Sequence, residues 1–277
     1  MNPRVRAVRK VVHKVWITLG LTFFVVFTAW SLIAYRSSSE ARRAATADPQ
    51  VDVGKAAGVW HFRSALTTSD TTASLVFFPG ALVDPRAYAP IARAAAARGH
   101  PAFIVELPRR GAFGGADDSE LGMRLDRVLR DQQTSRPWVA AGHSRGGVVV
   151  SNLALRAPAG LAGIVLIGTS HPRDIDLSSI TIPTTKIVGT KDGLASRAEV
   201  EQNRERLPPT TRWIWIEGGN HSQFGWYGFQ PGDRPAAISA AEQRTIMINA
   251  ILDALRAASS KPPADSVSRI PDQGLDP

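Results

Sequence analysis

Short apolar runs alternate with helical patterns between about residues 56 and 258. Six runs have the length and residue types of β-strands, and several are apolar on both faces, as in a buried parallel sheet. They lie at 74–80, 101–107, 137–144, 162–169, 184–190 and 211–218. Segments with helical apolar spacing or strong helix formers lie between and after them, at 86–98, 119–133, 146–156, 197–207 and 238–257. The alternation predicts a doubly wound α/β domain with a mostly parallel sheet, whose ligands bind beyond the carboxyl ends of the strands.

A second pattern lies near the N-terminus, where residues 15–35 form a mostly apolar stretch of 21 residues without a charge. A helix of this length spans the roughly 30 Å hydrocarbon core of a bilayer. Five basic residues precede the stretch within residues 1–14, and three follow it at greater average distance. The positive-inside bias therefore predicts a basic cytoplasmic segment at 1–14, a single-pass transmembrane signal-anchor helix at 15–35, and an extracytoplasmic domain at the cell membrane. Cleavage of the helix as a signal peptide near residues 45–47 is the alternative.

The segments on either side of the α/β unit lack this periodicity. Residues 36–55 are polar and rich in Ala, Ser and Arg, which predicts a linker. Residues 259–277 contain several prolines and little to bury, which predicts a disordered tail after a domain at 56–258. About 14 residues separate the predicted strands at 162–169 and 184–190, too few for a large cap domain, so we expect an open pocket. The oligomeric state stays open.

Charge and cysteine content narrow the classes of partner and cofactor. The net charge is +9, but residues 1–43 hold eight Lys or Arg and one Glu, so the remaining 234 residues carry only +2. Because the basic character belongs to the N-terminus, we expect no nucleic-acid partner. The chain has no cysteine, which excludes disulfides and thiolate metal sites. We expect neither a metal nor an organic cofactor.

The stretch Gly142-His143-Ser144-Arg145-Gly146 places one serine between two glycines, at the end of a predicted strand and the start of a predicted helix. This strand-turn-helix setting is typical of a nucleophile elbow, in which the glycines let the backbone double back around an exposed serine. The serine also lies at a helix N-terminus, which favours developing negative charge. A serine that only caps the helix is the alternative interpretation.

Two further residue types complete this chemistry, each in the loop after its own strand. The chain order is Ser144, Asp192, His221. We assign Ser144 as the nucleophile, His221 as its general base, and Asp192 as the carboxylate that holds the histidine tautomer. Asp174 and Asp176 follow an earlier strand and are the reserve candidates for the acid.

An oxyanion hole needs backbone N–H donors close to the serine. One predicted donor is the amide of Arg145, directly after the nucleophile, and the other comes from the loop at 79–88. Gly80 permits a tight approach in that loop, and we predict Ala81 rather than Leu82 as the donor.

Other suggestive residues have structural interpretations as well as functional ones. We expect His143 to point away from the serine and His171 to lie at the rim of the site. The glycine-rich segment 111–118 lacks the spacing of a nucleotide cradle and predicts a mobile rim loop. Two sets of side chains keep both a binding and a structural interpretation: the arginines Arg109, Arg110 and Arg145, and the aromatic residues Phe224, Trp226, Tyr227 and Phe229.

Four stretches together resemble a known family: GHSRGG at the predicted elbow, GTKDG at Asp192, FPGALVDPRAYAPIARAAAARG after the first predicted strand, and GGNHSQFGWYGFQPGDRPAAISAAEQ at His221. They are similar to the α/β-hydrolase superfamily, and most similar to its dienelactone-hydrolase-related group, often called α/β-hydrolase fold-5. The likeness covers about residues 56–258. It implies an α/β-hydrolase fold and a serine hydrolase with the triad assigned above. Dienelactone hydrolases use a cysteine nucleophile, which this chain lacks, so an ester substrate is favoured over a dienelactone.

These observations predict a membrane-anchored serine hydrolase that cleaves a small-molecule carboxylic ester through an acyl-enzyme. Two alternatives stay open. One is a catalytically silent protein of the same fold that binds a partner at the membrane, because fold alone does not establish activity. The other is a peptidase or amidase that uses the same three residues.

Overall fold

The structure is a computed structural model, and it describes residues 3–65, 72–112, 114, 119–131 and 136–260. Its α-helices are α1 (Pro3–Ala34), α2 (Ser39–Ala44), α3 (Ala89–Ala96), α4 (Ser119–Asp131), α5 (Arg145–Arg156), α6 (Arg197–Gln202) and α7 (Ala240–Ser259). Its strands are β1 (Val51–Ala56), β2 (Val59–Ser64), β3 (Ser74–Phe78), β4 (Ala102–Val105), β5 (Trp138–His143), β6 (Leu161–Ile167), β7 (Thr184–Gly189) and β8 (Arg212–Ile216). Short 3-10 turns lie at Pro85–Tyr88, Pro108–Gly111, Arg204–Arg206 and Ser222–Phe224.

The strands form one eight-stranded sheet in the order β1-β2-β4-β3-β5-β6-β7-β8. β2 pairs antiparallel with β1 and β4, and the other neighbouring pairs are parallel. Every residue of β3, β4 and β5 is buried, which explains why these strands have nearly continuous apolar sequences. The predicted doubly wound, mostly parallel α/β sheet is confirmed, and the six predicted strands are β3 to β8.

Helices cover both faces of the sheet, and each face has its own apolar core. On one face, α3 and α7 pack against the strands through side chains that include Ile91 and Ile251. On the other face, α4 and α5 pack through side chains that include Leu125 and Val150. Because both faces are covered, the accessible part of the sheet is the edge where the parallel strands end, and the loops at that edge carry the candidate site.

The structure corrects the predicted linker at 36–55 and the predicted domain start at residue 56. Helix α2 begins after Ser38, whose side chain accepts a hydrogen bond from Ala41 N–H at 3.1 Å, and Ala41 is fully buried. β1 forms a hairpin with β2 and buries Val51 at the edge of the sheet. Most other side chains of β1 are exposed or half-buried, so this edge strand has too weak an apolar alternation to be recognised in the sequence.

Helix α1 is, among the described residues, the one helix long and apolar enough to cross a membrane. Its segment Arg9–Trp30 has a mean hydropathy of 1.7, and none of it is buried in the protein. Between β6 and β7, residues 168–183 form neither helix nor strand, so no cap domain is inserted there. Most of the predicted rim loop at 111–118 and residues 261–277 of the predicted tail lie outside the described residues.

Candidate active site

The serine of the predicted elbow lies at the sharp turn between β5 and α5. β5 ends at His143 and α5 begins at Arg145, so Ser144 alone forms the connection. Its φ of 53° and ψ of −114° lie in a region that costs a non-glycine residue about 1–3 kcal/mol. Two backbone hydrogen bonds hold this conformation: Ser144 N–H donates to Ile167 O at 2.9 Å, and Gly147 N–H donates to Ser144 O at 2.9 Å. Backbone strain of this kind clusters at functional sites.

The two glycines that flank the serine are required by the close approach of backbone around the turn. A Cβ atom at Gly142 would lie 2.3 Å from Gly146 O, and a Cβ atom at Gly146 would lie 2.0 Å from Phe78 O. Both neighbouring atoms belong to the backbone of packed elements and have no room to move. The Gly-x-Ser-x-Gly spacing therefore follows from the packing of α5 against β3 and β5.

The serine does not act as a helix cap. A capping serine accepts a hydrogen bond from an amide in the first turn of its helix, and the Ser144 side chain makes no such bond with α5. Instead, Ser144 lines a cavity of about 240 Å³ together with Ala81, Arg145 and His221. The structure thus brings four of the five predicted site residues to one cavity at the carboxyl edge of the sheet.

The fifth residue, Asp192, forms a buried pair with His221 beside this cavity. His221 Nδ1 lies 2.9 Å from Asp192 Oδ2, and neither side chain is more than 1% exposed. The other carboxylate oxygen, Oδ1, accepts hydrogen bonds from Leu194 N–H at 2.8 Å and Ala195 N–H at 2.7 Å. With Nδ1 donating to the carboxylate, Nε2 is the nitrogen left to accept a proton. Nε2 is buried and has no hydrogen-bond partner among the described residues.

The Ala81 amide is better placed than the Leu82 amide to serve as an oxyanion donor. Leu82 N–H donates to Arg110 O at 2.7 Å, so this N–H group is not available to an oxyanion. Ala81 lines the cavity with Ser144, and its N–H donates to no acceptor in the described part of the chain. The Arg145 N–H belongs to the first turn of α5, at the end of the helix that favours negative charge.

His143 lies behind His221 and does not line the cavity. The centroids of the two rings are 4.5 Å apart, and His143 Nδ1 lies 2.8 Å from Tyr88 Oη. Tyr88 Oη accepts a hydrogen bond from Gly80 N–H at 3.1 Å, which leaves the tyrosine hydroxyl to donate to His143. Burial lowers the pKa of His143 well below its usual value, and the charge of His221 lowers it further. A neutral ring therefore supports His221 without adding a second positive charge.

Asp233 connects the loop that carries Asp192 with the loop that carries His221. Its Oδ1 accepts from Gly193 N–H at 3.1 Å, from His221 N–H at 3.2 Å and from Arg234 N–H at 2.8 Å. Its Oδ2 accepts from Ser222 N–H at 2.7 Å and from Ser222 Oγ at 2.6 Å. The one sequence signal of Asp233 is its place in the long stretch after His221, and sequence reasoning missed its role. Asp233 therefore holds the two loops in a fixed relation.

We expect Asp233→Asn to lower kcat by up to about 10²-fold, because a small displacement of the two loops misplaces the catalytic groups. The amide keeps the size of the carboxylate, but its NH₂ group cannot accept a hydrogen bond. KM should change little, since Asp233 is not among the residues that line the cavity. The measurement is steady-state ester hydrolysis combined with a thermal melt of each variant. Asp253→Asn is the matched control, because Asp253 pairs with Arg212 and Arg256 on the surface. Wild-type kcat in a folded Asp233→Asn variant would contradict this role.

The reserve acids do not contact His221. Asp174 and Asp176 are exposed, and Asp176 Oδ1 accepts a hydrogen bond from Ser178 N–H at 2.8 Å. That backbone hydrogen bond lowers the pKa of Asp176 below its usual value. The structure therefore pairs His221 with Asp192 and leaves both alternatives in the surface loop after β6.

Two arginines contribute positive charge to the cavity, one at the start of α5 and one in the loop after β6. His171, Arg173 and Arg145 line it, and none of the described residues in its lining carries a carboxylate. Burial, with help from neighbouring cations, lowers the pKa of His171 to about 4, so His171 is neutral at physiological pH. Behind the loop, the fully buried Lys186 donates to His171 O, and burial lowers the pKa of Lys186 to about 7. The cavity is thus suited to a neutral or anionic ligand.

The aromatic residues after His221 divide into two groups. Phe224, Trp226 and Tyr227 are buried in the core that contains α3 and α7, and they do not line the cavity. Phe229 is 45% exposed. The core-packing interpretation therefore holds for three of the four residues. No group of three or more His, Asp or Glu side chains suited to hold a metal ion occurs within the described ranges.

Comparisons with known proteins agree with this architecture. A sequence model described as the alpha/beta hydrolase family matches residues 74–245. No curated protein matches the sequence. A protein assigned as a dienelactone hydrolase from Klebsiella pneumoniae has a similar structure, with a TM-score of 0.56 and 14% identity over 74% of this chain and 98% of that chain. TT1662 from Thermus thermophilus gives a TM-score of 0.55 and 14% identity over 76% of this chain and 99% of that chain.

A third similar structure covers more of the chain than the other two. It is a bacterial membrane phospholipase A, with a TM-score of 0.52 and 14% identity over 91% of this chain and 99% of that chain. Identities this low show the fold alone, whereas the family match extends over more than half of the sequence. The chain therefore belongs to the alpha/beta hydrolase family, as its resemblance to the dienelactone-hydrolase-related group implies.

Proposed function

We propose that the protein is a serine hydrolase that cleaves carboxylic esters through an acyl-enzyme. The observation that carries the proposal is the buried hydrogen bond between His221 and Asp192, 2.9 Å long, with His221 and Ser144 on the same cavity. A serine hydroxyl is a weak nucleophile at neutral pH and needs such a base. In this proposal Ser144 attacks, His221 transfers protons, and Asp192 orients the imidazole and stabilises its charged form.

Each bond change then has a residue to carry it. Ser144 Oγ forms a bond with the ester carbonyl carbon while His221 Nε2 takes the hydroxyl proton. The bond from that carbon to the alcohol oxygen breaks, and the imidazolium gives its proton to the departing alkoxide. A water molecule, deprotonated by His221, attacks the acyl-serine, and the free acid leaves as Ser144 regains its proton. One water is consumed for each ester cleaved.

The oxyanion of both tetrahedral intermediates needs fixed donors. We assign this role to the N–H groups of Ala81 and Arg145, which lie on the same cavity as Ser144. Losing one such donor typically costs on the order of 10²–10³ in rate. Backbone donors are held by the loop after β3 and the first turn of α5, so they need no reorganisation as charge develops.

Three considerations support an ester as the substrate. An alkoxide leaves more readily than an amide nitrogen, and the segment between β6 and β7 adds no cap domain that would enclose a peptide. Two of the similar structures also carry names of ester-cleaving enzymes, a dienelactone hydrolase and a phospholipase A. Labelling with a fluorophosphonate, followed by rates on p-nitrophenyl esters and matched p-nitroanilides, tests the proposal. Absence of labelling would favour the silent binding protein, and faster anilide cleavage would favour an amidase.

We also propose that α1 is an uncleaved membrane anchor with the hydrolase domain on the extracytoplasmic side. Its apolar side chains are exposed along the helix, including Trp16 at 71% and Phe23 at 70%. A helix with such an apolar surface is stable in lipid, whereas its contact with water is unfavourable in free energy. The basic residues before the helix favour a cytoplasmic N-terminus.

Protease added to intact spheroplasts should degrade the hydrolase domain and leave an N-terminal stub in the membrane. The expected result follows from the charge asymmetry around α1, and immunoblots against tags at each end of the chain would measure it. Inside-out vesicles provide the control, since there the domain should be protected. Protection of the domain in intact spheroplasts would overturn the orientation, and a mature chain that begins near Asp48 would show cleavage.

A further inference from the structure

The end of α1 is hydrogen-bonded to the loop that follows the candidate base. Gly228 N–H donates to Ala34 O at 2.8 Å, and Ser38 N–H donates to Trp226 O at 2.7 Å. A Cβ atom at Gly228 would lie 3.1 Å from Ala34 Cα, so the two backbones approach closely. The loop after His221 is therefore directly attached to the point at which the apolar helix ends.

The same helix end is attached to the loop that carries the candidate oxyanion donor. Asp84 N–H donates to Tyr35 O at 2.9 Å, and Ser37 Oγ donates to Asp84 Oδ2 at 2.8 Å, with both side chains buried. Asp84 is three residues from Ala81, and three residues of chain span at most about 11 Å. The end of the membrane helix therefore lies close to the catalytic cavity and on the same edge of the sheet.

Two large apolar side chains are exposed beside this attachment. Phe229, next to Gly228, is 45% exposed, and Leu82, two residues before Asp84, is 44% exposed. Leu82 has a φ of 64°, in the left-handed region that bulky residues rarely adopt. Arg110, whose O accepts from Leu82 N–H, has a φ of 51°. The fold thus holds an exposed leucine in a strained conformation directly after Ala81, which lines the cavity.

Exposed arginines occur in the same segments as this attachment. Arg36, Arg42 and Arg43 are exposed directly after α1, and Arg110 is exposed beside Leu82. The stretch just after α1 carries one acid, Glu40. Exposed apolar side chains together with exposed arginines suit the interface of an anionic lipid leaflet, where the apolar groups enter the acyl region and the cations meet phosphates.

We propose that the catalytic edge of the domain rests on the membrane in which α1 is inserted, through a surface formed by Leu82, Phe229 and the arginines after α1, and that the ester substrate is a lipid of that membrane. The occupant of this surface is the bilayer because the surface is continuous with the end of the membrane-spanning helix. The lipid substrate rests on the proposed ester hydrolysis, whereas the contact with the membrane does not require activity.

The absence of cysteine allows a direct test of the contact. Full-length Phe229→Cys is labelled with an environment-sensitive fluorophore and reconstituted in vesicles of phosphatidylglycerol and phosphatidylethanolamine that contain nitroxide-labelled lipid. We expect the probe at position 229 to lose most of its fluorescence. A probe at Leu155→Cys, exposed on α5, should lose none, and a probe at Phe24→Cys, within α1, should be quenched fully.

Two outcomes would overturn the contact. A probe at 229 that is as bright as the probe at 155 would show that the surface faces water. A blue-shifted but unquenched probe at 229 would show that protein, such as a second copy of the chain, covers it.

Activity measurements on the same vesicles test the substrate. Phe229→Asp should lower the rate of hydrolysis of vesicle phosphatidylglycerol, relative to that of water-soluble p-nitrophenyl butyrate, by about tenfold or more. This is the factor expected when the free energy of transferring one phenyl side chain from water to lipid is lost. Leu155→Asp should leave this ratio unchanged. If the wild-type protein cleaves p-nitrophenyl butyrate but not vesicle lipid, the lipid substrate is wrong. If it cleaves neither, the proposed hydrolase function fails, and the quenching result still decides the contact.

Discussion

We expect Ser144→Ala to abolish fluorophosphonate labelling and to lower ester turnover on the order of 10⁶-fold in kcat, because no other group in the proposed mechanism forms the acyl-enzyme. Alanine adds no bulk to the turn, and the Ser144 side chain makes no capping hydrogen bond that its removal would break. The fold should therefore be retained. Gel fluorescence after labelling, p-nitrophenyl ester kinetics and a thermal melt measure the three quantities.

Ser170→Ala is the matched control for this prediction. Ser170 also lines the cavity, but its Oγ accepts a hydrogen bond from Arg173 Nε at 2.7 Å, and it lies in the loop after β6 rather than on the turn between β5 and α5. We expect this variant to remain labelled and active. Labelling that survives in Ser144→Ala and disappears in Ser170→Ala would move the nucleophile to the loop after β6. Wild-type turnover by a folded Ser144→Ala variant would contradict the proposed mechanism.

The central part of the fold could be predicted because burial determines which residue types occur in its strands. Strands such as β3 and β5 are covered on both faces, so their residues are apolar regardless of which side they face. The candidate triad was also accessible to sequence reasoning, since each residue lies in the turn or loop after a strand and parallel strands end at one edge. Chain order and loop position are then enough to predict that Ser144, Asp192 and His221 lie close together.

The edge of the fold could not be predicted in the same way. β1 buries one side chain, Val51, and α2 buries one, Ala41, and their other side chains are exposed or half-buried. An element with one buried position has no measurable period, and its residues resemble those of a linker. Pairing with β2 stabilises β1, and backbone hydrogen bonds do not require particular residue types, so the sequence does not reveal them.

The supporting residues of the site were missed for a related reason. Tyr88 contacts His143 across 55 residues of sequence, and Asp233 reaches back to Gly193 across 40. Contacts of this kind depend on where two loops meet in space, and neither loop has a periodicity that would place its side chains. The position of α1 against the loop at Trp226 is likewise a property of the tertiary structure alone.

The second large effect is expected for Asp192→Asn, with a loss of kcat on the order of 10⁴-fold. Asp192 Oδ1 accepts from the N–H groups of Leu194 and Ala195, so the asparagine oxygen should occupy that position. Its NH₂ group then faces His221 Nδ1, which has to become the acceptor. The imidazole proton moves to Nε2, and the nitrogen that should take the proton of Ser144 now carries one of its own. Steady-state kinetics across pH and a thermal melt measure the effect.

Asp176→Asn and Asp174→Asn separate this explanation from a general effect of lost charge near the site. Both carboxylates are exposed and neither contacts His221, so both variants should keep wild-type turnover. If Asp176→Asn inactivates the enzyme while Asp192→Asn stays active, the acid belongs to the loop after β6. If Asp192→Asn loses activity only in proportion to its stability, the carboxylate holds the loop and does not set the tautomer. A loss of kcat in a variant with an unchanged melting temperature is the result that the hydrogen bonds of Asp192 require.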